Sequence, residues 1–140
     1  MKLYTLGFIF NSTRDQVLLI HKKSPEWQIG KINGIGGKTE AGEASIDCIV
    51  REVTEETGLL IPQDNWTHAG KIHGDTWESE VYASVYEGKL TDAYTAGLEE
   101  VEWFAVDNLP DNVIGNLKFL IPMTLDRLGT DTFQEFSIRY

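Results

Sequence analysis

Three glutamates, Glu52, Glu55 and Glu56, stand within one short stretch, "REVTEET", in which Arg51 is the single basic residue. On a helical wheel of about 100° per residue, Ile46, Ile49, Val50 and Val53 form an apolar stripe. Glu52 and Glu56 fall beside that stripe and Glu55 one step further round, so the acids share one flank. Two carboxylates about 5 Å apart repel by roughly 3 kcal/mol at an effective dielectric near 20, and such a patch calls for a cation. Hard divalent ions such as Mg²⁺ take oxygen ligands, keep waters and sit between carboxylates and phosphates. Such ions can polarise a phosphoryl oxygen and acidify a bound water. Arg51, one turn before Glu55, can orient that carboxylate. Spacing alone fits a solvated acidic face equally well.

The elements that must position this helix are legible on both sides of it. Alternation in "KLYTLGFIFN" and "QVLLIHKK" predicts a hairpin with its turn at Ser12-Thr13-Arg14-Asp15. The connection "SPEWQIGKINGIGGKTEAGE" is too glycine-dense for a regular element and too long for a tight turn, which marks it as a functional loop. Helical periodicity begins near Glu43, and Gly58 followed by Pro62 ends it. Strand-like stretches follow at "HAGKIHGDTW", "SEVYASVYEG" and "EVEWFAVDNL". In the second, Val81, Ala83 and Val85 alternate with Tyr82, Ser84 and Tyr86. The last helix is read in "NLKFLIPMTLDRLG", with Pro122 tolerable only in a first turn. The expectation is a mixed sheet in an α/β domain.

A chain of 140 residues suits one domain, 1–140. No apolar run approaches the roughly 20 residues of a membrane span, and the start, Met1-Lys2-Leu3-Tyr4, has no secretion-signal pattern. A cytoplasmic protein without membrane partners is expected. The single cysteine, Cys48, lies in the apolar pattern of the helix and reads as a small buried side chain. A net charge of −10 argues against nucleic acid as a general partner, because neutralising phosphates takes clustered Lys and Arg. His21, His68 and His73 show no i,i+4 pairing and read as ordinary strand residues.

The wider pattern runs Gly37, five residues, Glu43, seven residues, then Arg51-Glu52-Val53-Thr54-Glu55-Glu56-Thr57-Gly58-Leu59. It resembles an unbroken Nudix box, the signature of the Nudix hydrolase family. The resemblance implies an α/β/α sandwich with a mixed sheet between helices, Mg²⁺ or Mn²⁺ as cofactor, and hydrolysis of a nucleoside diphosphate linked to another moiety. It further implies that Glu52, Glu55 and Glu56 are metal-binding carboxylates. The backbone carbonyl of Gly37 is then a ligand, freed by a sharp turn, and Arg51 and Glu43 support the helix. A further carboxylate from a distal loop assists the metals in many members, and Glu99 or Glu100 stands where it is expected; Glu100 is carried forward as the candidate.

The flanking residues resemble the branch that hydrolyses oxidised purine nucleoside triphosphates, of the MutT-like type. That resemblance places Asn33 on the purine, Lys23 near the nucleotide, and Asn116, where an aspartate is expected, at the base. Asparagine offers a donor and an acceptor to a purine edge; a turn residue at Asn33, a solvated strand end at Lys23 and a helix cap at Asn116 explain the same residues without a ligand. The implied reaction is Mg²⁺-dependent hydrolysis of a purine nucleoside triphosphate, 8-oxo-dGTP among the candidates, to monophosphate and pyrophosphate. The alternatives are a nucleotide sugar, a dinucleotide or an RNA 5′ end as substrate, and a non-catalytic nucleotide sensor. Monomer and homodimer stay open.

Overall fold

The computed structural model describes residues 1–130 and 134–140. The hairpin forms as expected, with β1 at Lys2–Asn11 and β2 at Gln16–His21. Asn11 closes the turn: its side-chain oxygen accepts from the backbone N–H groups of Asp15 at 3.0 Å and Gln16 at 2.9 Å, an arrangement by which asparagine stabilises turns. The Gly-rich connection departs from expectation. It carries a single 3₁₀ turn at Glu26–Gln28 and two short strands, β3 at Ile32–Asn33 and β4 at Ile35–Lys38.

These short strands exist because β1 and β2 diverge. β1 gives one whole edge to β6, Trp77–Tyr86, in parallel register from Lys2 to Asn11. Its other edge is shared, with Ile9 and Phe10 on β2 and Tyr4 to Gly7 on β4. β3 pairs with Ile20 and His21 of β2, so residues 32–38 fill the gap between the strands. β7, Val101–Ala105, lies antiparallel on the far edge of β2. On the other side, β5, Thr67–His73, pairs with β6, and β8, Phe136–Arg139, adds in parallel to β5. β8 has no counterpart in the sequence reading.

One helix covers each face of this mixed sheet. Leu6, Phe8 and Phe10 of β1 pack with Leu117, Leu120 and Ile121 of α2, Leu117–Gly129. Ile9, Leu18 and Tyr82 pack with Ile49 and Val53 of α1, Ser45–Thr57. The period of two in the strands thus sends alternate residues to opposite cores. Pro122 lies in the second turn of α2, one turn further in than expected. The carbonyl that loses its helical partner belongs to Lys118, an exposed position where water can serve. Among the described residues no helix is long and apolar enough to cross a membrane.

Candidate active site

The carboxylates owe their position to how closely α1 lies on the sheet. A Cβ at Gly7 of β1 would stand 2.7 Å from Ile49 Cδ1, so the absent side chain lets the helix settle. Buried Cys48 meets Thr5, Sγ to Oγ1 at 3.3 Å, and burial pushes the thiol pKa up. One turn beyond Cys48, Glu52 comes to rest against Gly37 of β4. A Cβ on Gly37 would lie 2.5 Å from Glu52 Oε1. Gly37 has no positive φ and makes no sharp turn; what its missing side chain provides is room for a carboxylate. Gly58 is the glycine with a conformational task, ending α1 in the left-handed region at φ 75°.

Glu56, a further turn along, is set deeper. Its Oε2 is buried and has no hydrogen-bond partner among the described residues. Burial first, then the neighbouring Glu52 charge, push the Glu56 carboxyl up to about 8, with Lys22 opposing and Glu99 adding. Glu52 is raised as well, again chiefly by burial, against the pull of Arg51. Glu55 is exposed, its side chain retaining 58% of its accessible surface.

Arg51 ties the flank together. Its Nε donates to Glu43 Oε2 at 2.7 Å and its Nη2 to Glu43 Oε1 at 2.9 Å, a two-pronged pair. Nη1 reaches Glu52 at 3.0 Å and Glu55 at 3.3 Å. The guanidinium beside Glu43 pulls that carboxyl down to about 2, and the same pairing raises the pKa of Arg51. A planar guanidinium suits this fork, and lysine would not replace it.

The loop before β7 separates its two adjacent acids. Glu99 accepts from Lys22 Nζ at 2.9 Å and from the Lys23 N–H at 2.5 Å, and its charge is felt at Glu56. Glu100 stands apart from that group, with Glu102, beside His21 at 3.8 and 2.9 Å. Strand parity explains the split. Val101 and Trp103 pack toward α1 and Phe104 toward α2, so Glu99 falls in step with the α1 face while Glu100 and Glu102 fall in step with the other. The same parity takes Leu18 of the α1 face through Ile20 to Lys22 rather than Lys23. Lys23 is exposed, and its ammonium forms no ion pair among the described residues. The pairing of Lys22 with Glu99 thus follows the alternation of both strands. His68 and His73 are strand residues of β5, as expected, with His68 held against Glu80 at 2.5 Å.

Asn33 and Asn116 lie on segments that the backbone joins. The Ile32 N–H donates to the Asn112 carbonyl at 3.0 Å and the Ile114 N–H to the Ile32 carbonyl at 2.8 Å, which lays the chain before α2 along β3. Asn33 accepts from the Gly34 N–H at 2.8 Å and donates to Gln28 Oε1 at 3.0 Å. Asn116 occupies the N-cap position of α2 but makes no side-chain cap bond, and its buried Oδ1 has no partner among the described residues.

Two donor sets could hold a cation. Glu52, Glu55 and Glu56 of α1 offer oxygen alone, the preference of Mg²⁺ and Mn²⁺, although among the described residues their carboxylates do not converge within 4.8 Å as a group. His21, Glu100 and Glu102 place a ring nitrogen and two carboxylate oxygens within 4.8 Å of one another, at the exposed edge.

Residues 2–121 match the family model for the NUDIX domain. The chain belongs to the Nudix family. Over 118 residues it is 31% identical to an oxidized purine nucleoside triphosphate hydrolase of Danio rerio, covering 78% of this chain and 69% of that protein. It is 27% identical over 103 residues to the NAD-capped RNA hydrolase NudC of Vibrio cholerae, covering 73% of this chain and 38% of NudC. The chain thus spans about two fifths of the length of that Nudix relative. A MutT NUDIX hydrolase from Burkholderia pseudomallei superposes with a TM-score of 0.71 at 23% identity, over 87% of this chain and 96% of that one. That likeness establishes the shared α/β/α Nudix fold.

Proposed function

We propose that this Nudix protein is a Mg²⁺-dependent pyrophosphohydrolase that cleaves a nucleoside triphosphate, with a purine preferred, into monophosphate and pyrophosphate. The observation that carries the reading is the buried, unpartnered Oε2 of Glu56 beside the Glu52 carboxylate. A buried carboxylate oxygen without a donor costs free energy unless something positive meets it. Glu52, Glu56 and the Gly37 carbonyl would hold the ion, Glu55 would complete the set from the exposed side, and Mn²⁺ suits the same oxygens. When bound, such ions polarise a phosphoryl oxygen and supply an acidified water.

The remaining work falls to the chain itself. Arg51 fixes the carboxylates of Glu52 and Glu55, and Glu43 fixes Arg51. Lys22 holds Glu99 beside Glu56, which makes Glu99, ahead of Glu100, the candidate assisting carboxylate. Asn33 and Asn116 would face the base, where the unpartnered Asn116 oxygen can accept from a purine N–H. Lys23, exposed, is free to reach a phosphate.

The resemblance to the triphosphate hydrolase of Danio rerio favours a triphosphate. The likeness to NudC supports a second reading, another nucleoside diphosphate derivative. Incubating the protein with Mg²⁺ and a panel of both classes, with products resolved by chromatography, decides between them. Monophosphate and pyrophosphate from a purine triphosphate, at the highest kcat/KM of the panel, is the expected result. A faster reaction on a dinucleotide or nucleotide sugar would transfer the assignment to the second reading.

A further inference from the structure

The 3₁₀ turn at Glu26–Gln28 holds a polar side chain, Gln28, against Asn33. Gln28 Oε1 accepts from Asn33 Nδ2 at 3.0 Å while Asn33 Oδ1 accepts from the Gly34 N–H at 2.8 Å. The Asn33 amide is therefore fixed at both ends. A primary amide has two N–H donors and two acceptor lone pairs, so one N–H and one lone pair of Asn33 remain, in a set plane. The support under Gln28 is itself secured. The Gln28 N–H donates to the Pro25 carbonyl at 2.8 Å, the Lys31 N–H to the Gln28 carbonyl at 2.9 Å, and the Lys22 N–H to the Lys31 carbonyl at 2.8 Å. Asn112 Nδ2 then donates to the Gly30 carbonyl at 3.0 Å, tying this loop to the segment that leads to Asn116.

We infer that Gln28 is a positioning residue for base recognition: by accepting from Asn33 it presents the remaining donor and acceptor of that amide in one orientation, and so sets the preference between bases. The inference rests on the proposed role of Asn33. A site discriminates by its hydrogen bonds only when they are held in place, because a wrong base then leaves them unmet. An amide free to rotate adapts to either edge and discriminates less. The Gln28 acceptor is what matters here, and its own NH₂ group is not required.

Three variants and one double variant test this, each assayed for kcat and KM on a purine and a pyrimidine nucleoside triphosphate with Mg²⁺. Gln28→Met keeps length and removes the acceptor; Gln28→Glu keeps the acceptor and removes the NH₂ group. Gln28→Met is expected to lower the purine-to-pyrimidine ratio of kcat/KM by about threefold to tenfold, the worth of one hydrogen bond, through a higher KM for the purine with kcat little changed. Gln28→Glu is expected to keep the ratio, since an added charge affects both substrates alike. Asn33→Ala should lower the ratio, and Gln28→Met added to Asn33→Ala should lower it no further, the mark of two residues acting as a unit. A reduced ratio in Asn33→Ala with a parental ratio in Gln28→Met overturns the inference and leaves the role of Asn33 standing. Equal losses in Gln28→Met and Gln28→Glu, or additive losses in the double variant, overturn it in favour of a direct contact from Gln28. A parental ratio in Asn33→Ala overturns the base-reading role of Asn33 and this inference together.

Discussion

Replacing Glu56 by glutamine keeps shape and polarity and removes a charge whose burial is offset only in part, by Lys22 and the Gly36 backbone. The Glu56 carboxyl is raised from 4.5 to about 8 by burial and by Glu52. Each decade corresponds to 1.36 kcal/mol, so ionising Glu56 in the folded, metal-free chain costs on the order of 5 kcal/mol, part of it shared with Glu52. Because the folded pKa lies above the unfolded one, the proton-linked stability is full below pH 4.5 and is lost as the pH rises towards 8. Glutamine does not titrate. In EDTA, Glu56→Gln and the parent should melt at similar temperatures at pH 5. At pH 9 the variant should melt higher, by on the order of 10 °C for a domain of this size. Added Mg²⁺ should narrow that gap by raising the parent, since a ligand of the folded state alone stabilises it. Hydrolysis by the variant should fall by about 10² or more. Differential scanning fluorimetry across pH, with and without Mg²⁺, reads all but the last. A melting difference that is the same at pH 5 and pH 9 in EDTA would refute the reasoning, because the buried charge would then not be the cause.

Arg51→Ala should lower stability, since it leaves Glu43 and Glu52 without their shared cation; urea unfolding measures it, and Arg51→Lys should recover only part. The parent should also lose stability as the pH falls from 4.5 towards 2, where Glu43 takes up its proton, and Arg51→Ala should lack that acid transition. Glu99→Gln should cut kcat by tenfold or more while Glu100→Gln stays within about twofold, because Glu99 and not Glu100 lies in the field of Glu56; equal effects would contradict the parity argument. Asn116→Ala should reduce the purine-to-pyrimidine kcat/KM ratio by about tenfold, near 1.4 kcal/mol; an unchanged ratio would make Asn116 only a helix-cap position.

Much of this was legible because it depends on short-range periodicity. The apolar spacing of Ile46, Ile49, Val50 and Val53 gave α1, and Gly58 ended it where a left-handed residue was required. The acidic flank followed from the same wheel. What escaped was set by tertiary pairing. β3 and β4 are strands because β1 and β2 diverge and leave backbone groups to satisfy, a demand no local pattern in "INGIGGK" announces. β8 forms at an edge offered by β5, far away in sequence. Gly37 was expected to turn the chain, yet its role is to admit the Glu52 carboxylate, which only the packing of α1 reveals. The Lys22–Glu99 ion pair is likewise reached by counting in twos from Leu18 and Val101.

The central claim is that the Glu52–Glu56 flank beside Gly37 holds the catalytic cation, and anomalous diffraction from crystals grown with Mn²⁺ tests it most directly. A strong anomalous peak is expected between the carboxylates of Glu52 and Glu56 and near the Gly37 carbonyl, absent in Glu56→Gln crystals. A peak only at His21, Glu100 and Glu102, with none at Glu56, would contradict it.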